Sequence, residues 1–245
     1  MDGIKLNALC VKAVDYKDGK TLLTLCTVEK GKITAAIKGA KSEKSKLRFA
    51  ASLLCFGEYI LSERNGYYTV TNCALTDGFF EVRSDLIRLY SALSAVEILD
   101  KSTVENADIS DYIYHALDAL KNIAYGKASP LFPLVKFIVA ASKLSGYALN
   151  LDECMNCGAP AHSGYFDIGL GGGVCLKCAS PDSLSVGGEC FFLIKELTKN
   201  SDASPNGLSD RALTEALQVV YKYFRACADV KINAVNQLLT LTANS

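Results

Sequence analysis

Four cysteines carry the clearest chemistry in the chain. Cys154 and Cys157 flank Met155-Asn156, Cys175 and Cys178 flank Leu176-Lys177, and the whole reads C-x₂-C-x₁₇-C-x₂-C. Two intervening residues let the backbone fold back so that both thiolates of a pair reach one ion, and Gly158 suits the turn that follows. The spacing predicts a tetrahedral zinc site. A redox pair of the thioredoxin type would open a helix after a strand, whereas the first pair here runs into Gly158-Ala159-Pro160. A catalytic zinc usually has three protein ligands and keeps a position for water. Four thiolates leave no such position, and the chain has only His115 and His162. The expectation is therefore a structural zinc that staples a loop too small to build its own core. His162 is expected at the surface.

The elements that must hold this cluster are helical. Leu86, Leu89, Tyr90, Leu93 and Val96 recur at helical spacing after a candidate cap at Ser84. A second helix is expected from Ser110 to a stop at Gly126. A third places Leu134, Phe137, Ile138, Ala141 and Leu144 on one stripe and ends at Gly146. After the glycine-rich cysteine stretch, about 150–188, helical pattern resumes. It continues to a segment with Leu213, Ala216, Leu217, Val220 and Phe224 on one face. The spacer between the cysteine pairs reads as a short hairpin.

Residues 4–76 read differently. Five runs rich in Val, Ile, Leu, Thr and Tyr are separated at Asp18-Gly19, Lys30-Gly31 and Asn65-Gly66, as hairpins demand. The last two runs are taken as "ASLLCFGEYILSE" and "GYYTVTNCAL". Five short strands predict a small antiparallel barrel, of OB-like or SH3-like type. The fold class is thus α+β and multidomain: a small N-terminal β-barrel (OB-fold) over 1–80, then an α-helical domain over 81–245 with an inserted Cys₄ zinc finger.

The second informative stretch is basic. Residues 30–49 hold Lys30, Lys32, Lys38, Lys41, Lys44, Lys46 and Arg48 against one acid, Glu43. Such a loop on a barrel can track a phosphate backbone, since each ammonium group can displace a counterion. It can equally be a solvated charged loop. Phe49, Phe56, Tyr59, Tyr67 and Tyr68 are near in sequence, and fit core or strand-pair positions better than stacking ones. Residues 1–80 carry 12 Lys+Arg and 8 Asp+Glu within a chain of zero net charge. Any polyanion is thereby directed to the N-terminal part.

Other classes find little support. There is no GxxxxGK[ST], GxSxG or GxGxxG pattern, and no carboxylate pair stands out. No stretch approaches 18 uninterrupted apolar residues, so no membrane span is expected; Lys136 interrupts the longest apolar run. Ten cysteines without a visible secretory signal imply reduced thiols in a cytosol. The six outside the cluster (Cys10, Cys26, Cys55, Cys73, Cys190, Cys227) read as small buried hydrophobes. A binding protein is favoured over an enzyme. A nucleic-acid-modifying enzyme with an unrecognised site and a pure protein–protein adaptor remain as alternatives.

In this order, the parts resemble the RecO family of bacterial recombination mediators. The "TVEKGKI" turn, the "KGAK" strand end and the "KSKLR" loop match the family's opening, and the late cysteine pairs match its zinc finger. The resemblance implies an OB-fold domain, a helical domain and no enzymatic activity. It implies binding of single- and double-stranded DNA and annealing of complementary strands in a bacterial cytoplasm, at the nucleoid. It also implies partnership with RecR and with the acidic, Phe-ended tail of the single-strand binding protein, and an indirect role in loading RecA. Carried over by residue, it implies Cys154, Cys157, Cys175 and Cys178 as zinc ligands, and Lys38, Lys41, Lys44, Lys46 and Arg48 as DNA contacts. The loop here is mostly Lys where the family pattern has more Arg, so bidentate phosphate contacts are fewer. The final segment, from Val230, matches nothing in the family pattern.

Overall fold

The computed structural model describes residues 3–17, 19–40, 42, 45, 47–161, 164–199, 203–204 and 207–243. The chain divides into two compact units, 1–80 with 99–117, and 81–98 with 118–245.

In the first unit, alternating in-out patterns build five strands: β1 (Ile4–Tyr16), β2 (Lys20–Thr27), β3 (Gly31–Lys38), β4 (Phe56–Arg64) and β5 (Tyr67–Asp77). They close in the order β1-β2-β3-β5-β4, with β4 returning to β1. The β3–β5 pair is parallel and the others antiparallel. A five-stranded barrel closed in this way is of OB type. Leu23, Leu25, Ile33, Ile37, Tyr59 and Leu61 fill it. Residues 51–55, expected to begin the fourth strand, instead leave a 3-10 turn at Phe49–Ala51 that packs against the core. Tyr59, fully buried, donates its hydroxyl hydrogen bond to the Ala50 carbonyl at 2.9 Å. That contact satisfies two polar atoms inside an apolar core.

Residues 99–117 belong with the barrel because Lys32 reaches them. Its Nζ lies 2.7 Å from Asp100 Oδ1 and donates to the carbonyls of Asp100 and Thr103. Thr34 adds a hydrogen bond to Glu105 at 3.1 Å.

The second unit holds most of the helices: α1 (Leu86–Ser102) up to residue 98, α2 (Ser110–Tyr125) from residue 118, then α3 (Leu131–Leu144), α4 (Gly188–Lys199), α5 (Asp210–Ala228) and α6 (Asn233–Ala243). Helix α3 is buried along most of its length and packs against α4 and α5. It stops at Gly146 (φ +85°), where Gly146 N–H bonds to Lys143 and Tyr147 N–H to Ser142. This is a Schellman ending, which needs the left-handed conformation that glycine supplies. The expected stripe on α5 is buried throughout.

Two expected caps fall elsewhere. Asp85, not Ser84, accepts the Arg88 N–H at 2.8 Å; Ser84 sits in a 3-10 turn and donates to the Glu81 carbonyl. Asp108 accepts the N–H of Ser110 at 3.0 Å. The α1 stripe also differs. Leu86 is exposed and Leu89, Tyr90 and Leu93 are half-buried, whereas Ser91, Ala92, Ser94, Ala95, Val96, Ile98 and Leu99 form the buried side. Small residues let this face pack closely, and apolar residues all round hide it from periodicity.

The C-terminal segment forms α6. Both Glu97 carboxylate oxygens accept its first N–H groups, from Asn233 at 3.0 Å and Ala234 at 2.9 Å. An anion there suits the positive end of the helix.

Candidate metal centre and nucleic-acid interface

The cysteine cluster sits on a three-stranded sheet of order β7-β6-β8, made of β6 (Gly164–Asp167), β7 (Gly172–Gly173) and β8 (Leu184–Val186). The β6–β7 hairpin in the spacer turns on Asp167, whose carboxylate accepts the Leu170 N–H at 3.0 Å. Each cysteine pair closes its own turn. Gly158, at φ +69°, sends its N–H to the Cys154 carbonyl at 2.9 Å. Cys178 and Ala179 both send theirs to the Cys175 carbonyl at 2.9 Å. The Met155 N–H bonds to the Gly173 carbonyl at 2.9 Å and joins the first turn to β7.

The four sulfurs all lie within 4.8 Å of one another, and the Cys157 and Cys175 sulfurs are 3.8 Å apart. Sulfurs about 2.3 Å from a common tetrahedral ion are separated by about 3.8 Å, so the cradle has the right size. Four thiols are a donor set zinc takes, and their protonation differs: hydrogen bonding with the Cys175 and Cys157 sulfurs pushes the Cys178 thiol up to about 12, whereas Cys154 moves the other way. The Cys175 N–H points at Cys154 Sγ, 3.3 Å away. That bond, with further N–H groups from Asn156 and Cys157, brings the Cys154 thiol down to about 6 against the opposing effect of burial. Thiolate is the form a metal binds. Among the described residues, this is the one group of His, Cys, Asp and Glu side chains that could hold a metal ion.

The surrounding loop is better anchored than its composition suggests. Phe166 of β6 is fully buried and meets the Tyr223 ring of α5 edge-on, at 5.9 Å and 80°. Asp152 pairs with Lys199 at 2.5 Å and Lys195 at 3.3 Å on α4. His162 lies outside the described residues.

The basic stretch is less compact as a site. Lys41, Lys44 and Lys46 lie outside the described residues. Lys38 is exposed at the end of β3 and Arg48 is exposed just before the 3-10 turn. They border different hollows. Lys38 lines a groove of about 650 Å³ with Tyr16, Lys20 and Tyr67. Arg48 lines a hollow of about 430 Å³ with Asp15, Thr21 and Ser52. Lys30 stands 5.8 Å over the Tyr68 ring, and Lys32 is held by Asp100. Of the aromatics, Tyr59 is core and Phe49 and Tyr68 pack partly on it, as their sequence setting suggests. Tyr67 departs from that expectation and is 79% exposed. Tyr16, 54% exposed, was not singled out by sequence. Its signal in the sequence is its place at the end of the first apolar-rich run, two residues before Asp18-Gly19.

The chain thus combines an OB-type barrel with a helical part that carries a four-cysteine knuckle pair, and comparison with known proteins says which family has this combination. The family profile described as "Recombination protein O N terminal" matches residues 1–79, and that described as "Recombination protein O C terminal" matches residues 83–228. "DNA repair protein RecO" of Acetivibrio thermocellus is 31% identical over 183 residues, 74% of this chain and 73% of that protein. "DNA repair protein RecO" of Clostridium perfringens is 30% identical over 199 residues, 81% of each. That of Clostridium novyi is 30% identical over 224 residues, covering 89% and 85%. The chain belongs to the RecO family of DNA repair proteins. Among the described residues, no helix is long and apolar enough to cross a membrane.

Proposed function

We propose that the chain is a non-enzymatic, DNA-binding recombination mediator of the bacterial cytoplasm, carrying one structural zinc. In this reading the barrel over 1–80 binds single- and double-stranded DNA and promotes annealing of complementary strands. RecR-like protein and the tail of single-strand binding protein are its partners, and RecA loading follows indirectly. The observation that carries it is the OB-type barrel with exposed cations at Lys38 and Arg48, in a chain of this family. Lys41, Lys44 and Lys46 complete the proposed phosphate contacts.

Zinc at Cys154, Cys157, Cys175 and Cys178 takes no part in chemistry here. Held by these four sulfurs, the ion would fix the two turns against each other. If five phosphates are neutralised, the salt slope for single strands is about −3.5. Affinity then falls roughly a hundredfold between about 50 and 200 mM salt. A titration of labelled oligonucleotide reads this directly, and a slope near zero would sink the proposal. Annealing of complementary strands coated with single-strand binding protein tests the mediator role.

A further inference from the structure

The outer face of the barrel carries an arrangement that folding does not explain. Lys20 and Lys38 stand directly opposite each other in the β2–β3 ladder. Tyr16 stands directly opposite Lys20 in the β1–β2 ladder. Like charges in facing positions destabilise a sheet. Among the described residues, neither lysine has a carboxylate partner. Glu105, the acid at the border of the same groove, accepts from Thr34, and Lys32 is occupied by Asp100. Two unneutralised ammonium groups facing each other make a place for an anion.

The next row across the same face is apolar. Val14 pairs with Leu22 and Leu22 with Ala36, and Val14 is exposed. The small Ala36 side chain leaves a flat floor. Tyr67, at the start of β5, borders the groove from the other side. The two phenol rings at the rim, Tyr16 and Tyr67, are the exposed aromatics of this face and add little to the core. Flat rings beside facing cations match a strand that offers both bases and phosphates.

We propose that this face is a base-stacking track for single-stranded DNA, with a phosphate between Lys20 and Lys38 and bases on the rings of Tyr16 and Tyr67. The inference rests on the DNA-binding reading above and adds the residues that favour one strand over two. Bases in a duplex are already stacked on each other, whereas an unpaired base has a free face for an aromatic ring. The lysines therefore serve both forms of DNA and the tyrosines serve single strands. Barrels of this type take oligonucleotides on the face of their second and third strands, where Lys20 and Lys38 stand.

The test compares the full chain with variants by fluorescence anisotropy, using a labelled oligothymidine and a labelled duplex of equal length. Tyr16→Ala with Tyr67→Ala is expected to weaken single-strand binding about tenfold or more. Duplex affinity and both salt slopes stay as in the parent. Tyr16→Phe with Tyr67→Phe keeps the parent affinity. Lys20→Gln with Lys38→Gln lowers the single-strand slope by about 0.7, the share of the one phosphate they hold. Single-strand affinity unchanged in the alanine pair, or lost equally from both DNAs, overturns the proposal. A second readout needs no variant: photocrosslinking the parent chain to 5-iodouracil-containing strands should modify Tyr16 or Tyr67, and adducts confined to other residues overturn it. A parent chain that binds no oligonucleotide even at low salt defeats the DNA-binding reading itself. A parent that binds with a slope but ignores the tyrosine changes defeats this inference alone.

Discussion

Lys32 Nζ lies 2.7 Å from Asp100 Oδ1, and the same ammonium also donates to the carbonyls of Asp100 and Thr103. Both side chains are mostly withdrawn from solvent. A cation in the middle of the basic stretch is thus a structural bolt. Breaking a withdrawn pair on one side leaves the other charge poorly solvated, and with partial exposure we expect a loss of about 2 kcal/mol for Lys32→Met. Its salt slope for DNA should equal the parent's. Lys38→Met should do the opposite, lowering the slope by about 0.7 for single strands with little change in melting temperature. Thermal melts and salt titrations on the two variants check both halves.

The Tyr59 hydroxyl gives a second test, this time of the barrel core. Tyr59→Phe keeps the ring but leaves the Ala50 carbonyl without its 2.9 Å donor. Loss of such a bond costs about 1 kcal/mol, with more if the orphaned carbonyl stays dry. Tyr59→Ala adds a cavity and should cost about 3–5 kcal/mol. Chemical denaturation of the two variants should rank them in that order.

These contacts show what sequence pattern can and cannot carry. The barrel strands were legible because alternation at Leu23, Leu25, Ile33 and Ile37 has a period that no helix shares, and because glycine-bearing turns mark their ends. The metal cradle was legible because two-residue spacing forces a turn whatever the surroundings. The bolt at Lys32 was not, since Asp100 is 68 residues away and nothing local distinguishes Lys32 from its basic neighbours. The buried face of α1 was hidden for another reason. Its Ser91, Ala92, Ser94 and Ala95 score as weakly apolar, while Leu86 and Leu93 drew the stripe to the wrong side. Tyr67 is exposed despite its core-like sequence setting, because composition near a core says little about which side of a strand a ring takes.

Helix α2 should show an acid-side dependence. Hydrogen bonds from the Ser110 hydroxyl and then the Ser110 N–H to Asp108 lower that carboxyl below its ordinary value. A carboxyl lowered in the folded state stabilises above its unfolded pKa, about 3.9, and loses this contribution as pH falls through the folded value. Asp108→Ala should therefore lower the melting temperature at neutral pH, with the gap to the parent closing below about pH 4. Asp108→Asn, also a good capping residue, should keep most of the stability and lose the pH dependence.

Removing the metal should act on the second unit and spare the barrel's electrostatics. The 3.8 Å between the Cys157 and Cys175 sulfurs matches the edge expected of four sulfurs about one tetrahedral ion, and without an ion four thiols would be packed within 4.8 Å of one another. A structural zinc contributes its binding energy as folding energy, so a strong chelator should lower the melting temperature and raise protease sensitivity between residues 150 and 188. Cys157→Ala and Cys175→Ala should each abolish stoichiometric zinc, measured on purified protein, and reproduce the chelator's effect. Cobalt(II) in place of zinc should give the spectrum of a four-sulfur tetrahedral ion with no water ligand. The salt slope for DNA should be unchanged by chelation, because the proposed phosphate contacts all fall within residues 1–80 of the sequence, far from the cysteine pairs. A cobalt spectrum that responds to added anions or to pH near neutrality would show an open position, and the site would then have to be read as catalytic.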